Sequence, residues 1–233
     1  MTAAQYNTAI LIFSHSAEKE MLNKSFTKNP QLFEALNRDT LVKARRTGLP
    51  CFHYTEREQL GTTFGERFVN AIQEIFKKGF DHVITIGNDS PQLKTNHLST
   101  AAVQLQQGRT VLGPTFDGGF YLMGLHRSDF DAKVFLRLPW QRFGLFNRIS
   151  TLLRSNNSKV YHLPVLRDID VEKDIDCLLN FTHSISRELQ RIMTAIRSKK
   201  RLTFLEGEVH YKSLTSYSLF NKGSPLSLPL TCI

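Results

Sequence analysis

Apolar and polar positions along this chain switch repeatedly between two periods. Ala9-Ile10-Leu11-Ile12-Phe13, Val83-Ile84-Thr85-Ile86 and Val111-Leu112 are short, nearly unbroken apolar runs, the pattern of strands buried on both faces. Between them the spacing turns helical. Phe64, Phe68, Ile72, Ile75 and Phe76 share one face of a helix stopped by Gly79, and Leu32, Leu36, Leu41 and Val42 one side of another stopped by Gly48. The pattern predicts strands at 8–13, 50–54, 82–87, 109–113, 119–125 and 159–163, and helices at 30–47, 65–78, 95–107, 143–154 and 172–196. Such alternation points to βαβ units around a mostly parallel sheet. Asn156-Asn157-Ser158 reads as a turn, and no internal repeat is visible.

From about Arg197 the periodicity is lost. Arg197-Ser198-Lys199-Lys200-Arg201 is a basic run, and Gly223-Ser224-Pro225 and Leu228-Pro229-Leu230 break any regular element. The expected organisation is an α/β domain over 1–196 and a partly mobile basic extension over 197–233. Of the net charge of +9, residues 181–233 hold eight Lys/Arg against three Asp/Glu, so the body is only mildly basic. That bias attracts phosphate-bearing ligands or simply solvates a surface. It comes without the aromatic-interleaved basic motif of a nucleic-acid binder. No apolar run reaches the roughly 20 residues of a membrane span. Ala9–Phe13 reads as a first buried strand, not a signal sequence. Cys51, Cys177 and Cys232 are odd in number and lack metal-ligand spacing, which suits free thiols and a cytoplasmic setting.

Candidate chemistry gathers at strand ends, where open α/β sheets bind ligands. Gly87-Asn88-Asp89-Ser90-Pro91 closes the run at 82–86, and Asp89 there reads as a turn residue or as a ligand for a divalent cation. Asp168-Ile169-Asp170 precedes an acidic helix start. The helix dipole accounts for Glu172 and Asp174, and capping for only one of the earlier pair. Asp89 with one of those two would make a hard oxygen site. In Asp117-Gly118-Gly119 the glycines suit either a hairpin or close approach of backbone N–H groups to a ligand. Phe120 and Tyr121 then put one aromatic on each face of a strand, one to stack on a base or sugar and the other to pack. Arg67, in a helix first turn, would reach a phosphate or a surface partner. Trp140, the only Trp, lines a pocket or anchors a loop.

Taken as an ordered set, these motifs resemble a known family. They comprise Gly61-x-x-x-Gly65-Glu66-Arg67, Ile86-Gly87-Asn88-Asp89-Ser90-Pro91-x-Leu93, Leu112-Gly113-Pro114-x-x-Asp117-Gly118-Gly119-Phe120-Tyr121-Leu122-x-Gly124, Pro139-Trp140 and Asp168-Ile169-Asp170-x-x-x-Asp174. Over about residues 8–180 the chain is similar to a nucleotide-diphospho-sugar transferase family of the glycosyltransferase-A superfamily, long held as a domain of unknown function. The resemblance implies a Rossmann-like three-layer α/β/α sandwich with a mostly parallel sheet and a nucleotide at the C-terminal end of the first strand. It implies a divalent metal, Mg²⁺ or Mn²⁺, on Asp89 and Asp170, and an acceptor or sugar pocket shaped by Asp117, Gly118 and Gly119. The chain departs from the family after Phe13, where the usual glycine-rich, Lys-Thr-Arg-bearing phosphate loop reads Ser14-His15-Ser16-Ala17-Glu18-Lys19-Glu20-Met21-Leu22-Asn23-Lys24. With no glycine to cradle phosphate, Lys19 and Lys24 remain as point charges, and Ser14 and His15 as groups in reach of a base. Pro139-Trp140 continues as Gln141-Arg142 where the family has Ser-Thr.

Three functions compete. One is glycosyl transfer from a nucleotide-sugar with a divalent metal, drawing on Asp89 and Asp117 for catalysis, Asp89, Asp168 and Asp170 for the metal, and Ser14, His15, Lys19, Lys24, Arg67, Gly118, Gly119, Tyr121 and Trp140 for substrate. The second is nucleotidyl transfer on the same fold, and the third a non-catalytic nucleotide-binding descendant.

Overall fold

A computed structural model of the chain describes residues 7–198 apart from 25, 28, 143, 156 and 157. Contacts group the chain into two units, Met1–Thr194 and Ala195–Ile233. Almost all of the second, including Cys232 and most of the expected extension, lies outside the described residues.

Six strands form one sheet: β1 (Thr8–Phe13), β2 (Cys51–Tyr54), β3 (His82–Ile86), β4 (Arg109–Pro114), β5 (Phe120–His126) and β6 (Lys159–His162), in the order β2-β1-β3-β5-β4-β6. β1 runs parallel to β2 and β3, and β4 parallel to β6. β5 alone runs the other way, antiparallel to both β3 and β4. The helices are α1 (Ala17–Asn23), α2 (Pro30–Arg45), α3 (Phe64–Lys77), α4 (Thr95–Gln106), α5 (Ala132–Leu136), α6 (Leu145–Ser155), α7 (Glu172–Leu179) and α8 (187–198).

Strand alternation sorts the core into two layers. Ala9 and Leu11 of β1 face a cluster with Phe68, Ile72 and Ile75 of α3, Phe135 of α5 and Ile149 and Leu153 of α6. Ile10 and Ile12 face the opposite cluster, with Ala44 of α2 and Leu98, Ala101 and Leu105 of α4. Helices therefore cover both faces of the sheet, the three-layer sandwich that the sequence pattern and the resemblance imply. α3 starts in a capping box: Thr63 Oγ1 accepts from Glu66 N at 3.2 Å, and Glu66 Oε2 accepts from Thr63 N at 3.1 Å. Gly61, at φ 137°, carries no Cβ that would sit 2.7 Å from Glu66 Cβ. The Gly-x-x-x-Gly-Glu motif thus builds this helix start.

Two expectations need correction. The stretch after Phe13 is not simply a loop, because Ser16 caps α1, its side chain accepting from Lys19 N at 3.2 Å. The helix expected over 172–196 ends with α7 at Leu179, passes through a 3₁₀ turn (Thr182–Ser184) and resumes as α8. Ser184 Oγ donates to Phe181 O at 2.8 Å in that turn, offering the backbone an alternative to helix continuation. Among the described residues, no helix is long and apolar enough to cross a membrane, and Cys51 and Cys177 are free thiols.

Candidate active site

Beyond Phe13, Ile86 and Pro114, at the carboxyl ends of β1, β3 and β4, the chain opens a cleft of about 620 Å³. Because β5 is reversed, its first residue, Phe120, sits at the same edge. Ser14, His15, Lys24, Asp89, Asp117, Gly119, Tyr121, Trp140, Asp168 and Asp170 all line this cleft. Gly118 lies in the adjoining turn at φ 90° and does not line it. Lys19 is exposed on α1 and Arg67 donates to Thr62 O at 3.1 Å, so neither expected phosphate contact reaches the cleft.

Backbone bonds between loops fix the floor. Asp89 O accepts from Ile169 N at 2.9 Å, and Pro114 O from Leu166 N at 3.1 Å, which ties the 166–170 segment to the ends of β3 and β4. Lys24, at the C-terminus of α1, reaches into the gap between them. Its Nζ donates to Ile169 O at 2.6 Å and pairs with Asp170 Oδ1 at 3.1 Å and with Asp89 Oδ2 and Glu20 Oε1, each at 3.4 Å. Burial alone would lower the pKa of this ammonium, but Asp89, Asp170 and Glu20 outweigh it and hold Lys24 above the usual lysine range. Asp168 turns its carboxyl to the Ser90 hydroxyl, which donates to it. Burial, reinforced by the charge on Asp89, raises its pKa well above the usual carboxylate value despite that bond. Among the described residues, no three His, Cys, Asp or Glu side chains are grouped closely enough to hold a metal ion. The donors that converge here are nonetheless hard oxygens from three segments, the type a divalent cation prefers.

The β4–β5 turn supplies the opposite rim. Asp117 Oδ1 accepts from the Thr115 hydroxyl and from Gly119 N at 3.1 Å. A Cβ at position 119 would meet Thr115 Oγ1 at 3.1 Å, so the second glycine suits the turn as well as the cleft. Of the two aromatics that follow, Tyr121 packs inward against Gly113, its hydroxyl donating to Pro164 O at 3.0 Å. Phe120 stays half-buried on the side of Phe68 and Trp140. Trp140 donates from Nε1 to Phe135 O at 2.8 Å and crosses Phe68 at 5.1 Å and 61°. With Phe13 and Phe64 these rings form an aromatic wall on one flank.

At the β1 end, Ser14 Oγ lies 2.8 Å from His53 Nε2, and burial lowers the pKa of His53. Asn88 Nδ2 donates to Asn37 Oδ1 at 2.7 Å, and Asn37 Nδ2 to His15 O at 3.2 Å, joining the β1 and β3 loops through α2. Gln59 spends its amide hydrogens on Ser14 O and Tyr54 O, at 2.7 and 3.1 Å. Its buried Oε1 has no partner among the described residues. Sequence reasoning missed Glu20, Gln59, Asn88 and the Phe13–Phe64–Phe68 flank. The only signal for Glu20 was an acid four residues before Lys24.

A family model described as an uncharacterized protein conserved in bacteria (DUF2064) matches residues 16–142. Among solved structures, the chain is similar to a Desulfovibrio desulfuricans G20 protein whose name assigns it provisionally to the nucleotide-diphospho-sugar transferases. Identity is 24%, over 84% of this chain and 98% of that one, with a TM-score of 0.71. It is also similar to Rv0371c of Mycobacterium tuberculosis H37Rv, at 14% identity over 77% of this chain and 100% of that one, with a TM-score of 0.50. Both likenesses are likenesses of fold. No curated protein matches the chain.

Proposed function

The chain belongs to the family of uncharacterized proteins conserved in bacteria (DUF2064), and from that footing we propose that it transfers a glycosyl group from a nucleotide-diphospho-sugar to an acceptor hydroxyl. One observation carries the reading: carboxylates from separate loops, Asp89 and Asp170, meet at the Lys24 ammonium on the floor of a cleft at the strand ends.

In this reading the nucleoside lies toward the end of β1. There Ser14 and His15 line the wall, and Gln59 Oε1 is the acceptor left for a ring or exocyclic N–H. The diphosphate lies over Asp89 and Asp170. Asp89 and Asp170 would hold a divalent ion, and such an ion would screen the charge that builds on the leaving diphosphate. Asp168, whose pKa burial and the charge on Asp89 push above the usual carboxylate range, turns to the Ser90 hydroxyl and is not one of those two. As the bond from the anomeric carbon to the diphosphate oxygen breaks, the acceptor oxygen bonds to that carbon and gives up its proton. Asp117, across the cleft, takes that proton in this reading. The half-buried faces of Phe120 and Trp140 bind the sugar or the acceptor by stacking.

Nucleotidyl transfer on this fold asks more of the first loop. There Ser14 N is spent on Tyr54 O at 3.1 Å and Ser16 N on Glu56 Oε2 at 2.8 Å, which leaves a poor backbone cradle for a triphosphate. The test is calorimetric titration of wild type and Asp89→Asn with UDP- and GDP-sugars, with and without Mn²⁺. Asn keeps the size and one acceptor oxygen but removes the charge that would hold the ion. Metal-dependent binding should be nearly abolished with little change in stability. Equal binding by both proteins refutes a metal role for Asp89. No binding by wild type replaces the reading with a non-catalytic descendant.

A further inference from the structure

Lys24 occupies the point on which the floor carboxylates converge. Four oxygens, from Glu20, Asp89, Ile169 and Asp170, surround its Nζ at 2.6–3.4 Å. The donor chemistry is that of a hard cation, yet the spacing fits an ammonium. Magnesium and calcium take their oxygens at about 2.0–2.6 Å, closer than any of these carboxylates stands to the lysine nitrogen. The lysine is well held in place: its side chain is 13% exposed, and it caps α1 through its own N–H to Glu20 O at 2.8 Å.

We propose that Asp89 and Asp170 form a latent divalent-cation site guarded by Lys24, in which ion and ammonium compete for the same carboxylate oxygens and arrival of the ion releases Lys24 into the cleft. The charge balance gives the exchange a purpose, and that purpose rests on the nucleotide-sugar reading. Around Lys24, the three carboxylates of Glu20, Asp89 and Asp170 against one ammonium leave a net −2, which repels a diphosphate. A divalent ion in the cage brings the group to neutrality and frees one positive charge to meet the phosphates. Lys24 would then hold the empty site together and afterwards bind substrate, from a single position at the end of a short helix. The side-chain carboxylates of Asp89 and Asp170 are 33% and 52% exposed, open enough for an ion to reach them from solvent.

The competition can be measured without nucleotide, so its failure and the failure of the donor reading are separate results. Mn²⁺ is titrated against wild type and Lys24→Met, with free ion read by electron paramagnetic resonance. The variant should bind Mn²⁺ about tenfold tighter or more, because a competing charge in contact with both ligands is gone. Equal or weaker binding by a folded Lys24→Met overturns the proposal. Should the variant fail to fold, the native chain decides. Acetylation of lysines, mapped by mass spectrometry, should find Lys24 protected in metal-free protein and labelled markedly faster in millimolar Mn²⁺, with surface Lys19 unchanged. Lys24 labelling that stays flat then overturns the proposal.

Discussion

Replacing Gly65 with Ala adds one methyl group at the start of α3, where helix propensity alone favours alanine by about 0.5–1 kcal/mol. The packing opposes it. An ideal Cβ at position 65 would stand 2.4 Å from Trp140 Cδ1 and 2.9 Å from Nε1. Relief requires the indole to move by roughly an ångström, since carbon–carbon contacts settle near 3.5–4.0 Å. That displacement strains the Trp140 Nε1 bond to Phe135 O, now 2.8 Å, and the ring's edge contact with Phe68. Overpacking of this kind costs about 1–3 kcal/mol and a weakened buried hydrogen bond about 1 kcal/mol more. After the helix gain is subtracted, Gly65→Ala should destabilise the protein by about 1–3 kcal/mol. For a domain of this size that lowers Tm by about 2–4 °C per kcal/mol. Trp140 is the only tryptophan, so urea denaturation followed by its fluorescence reports both the stability loss and a changed native emission. Trp140→Leu, followed by far-ultraviolet circular dichroism because it removes the only tryptophan, should absorb most of the penalty, giving a double-mutant coupling above 0.5 kcal/mol. An alanine variant as stable as wild type, with unshifted native fluorescence, would show that the indole does not pin this helix start.

Three further outcomes follow from the same structure. Thr63→Ala removes the hydroxyl that caps α3 and should cost about 1 kcal/mol in chemical denaturation, while Thr62→Ala, outside the cap position, should cost less. Asp168 has a folded-state pKa raised above its ordinary 3.8, so its contribution is present below that value and is lost as pH rises through the folded-state pKa. Asp168→Asn should therefore gain stability relative to wild type between pH 4 and pH 8, and a difference independent of pH would remove the burial argument. A chain ending at Ser198 should stay monodisperse and melt cooperatively within a few degrees of the full protein; aggregation or a much lower Tm would make the tail part of the fold.

The strands were legible because burial on both faces leaves an unbroken apolar signature, and all six ranges fall within a residue of the sequence reading at each end. α1 was hidden for the opposite reason. It has seven residues, buries only Ala17 and Glu20, and shows no apolar stripe. The break after Leu179 was hidden too: Ile175, Leu178, Ile185, Leu189 and Met193 are all buried, and their near-helical spacing runs straight across it. In the cleft, Asp89 and Asp170 could be read from where strands and helices end. Glu20, Gln59 and Asn88 could not, since each owes its place to a partner from another segment. Arg67, read from its place in a helix first turn as a phosphate contact or a surface partner, donates to a local carbonyl, Thr62 O.

The reversed strand has a consequence for how such a site can be re-engineered. β4 and β5 are the neighbouring pair joined by a hairpin, and only five residues, Thr115 to Phe116, Asp117, Gly118 and Gly119, separate them. Both stems of that connection stand on the rim, whereas the segments leaving β1 and β3 pass into helices whose packing they must preserve. Hairpin connections tolerate added length at little entropic cost, each doubling worth about 0.6 kcal/mol. A peptide grafted between Phe116 and Asp117 would keep Asp117 beside Gly119 N and project over the mouth without shifting the floor carboxylates. It is therefore the natural place to graft a new acceptor specificity onto this scaffold.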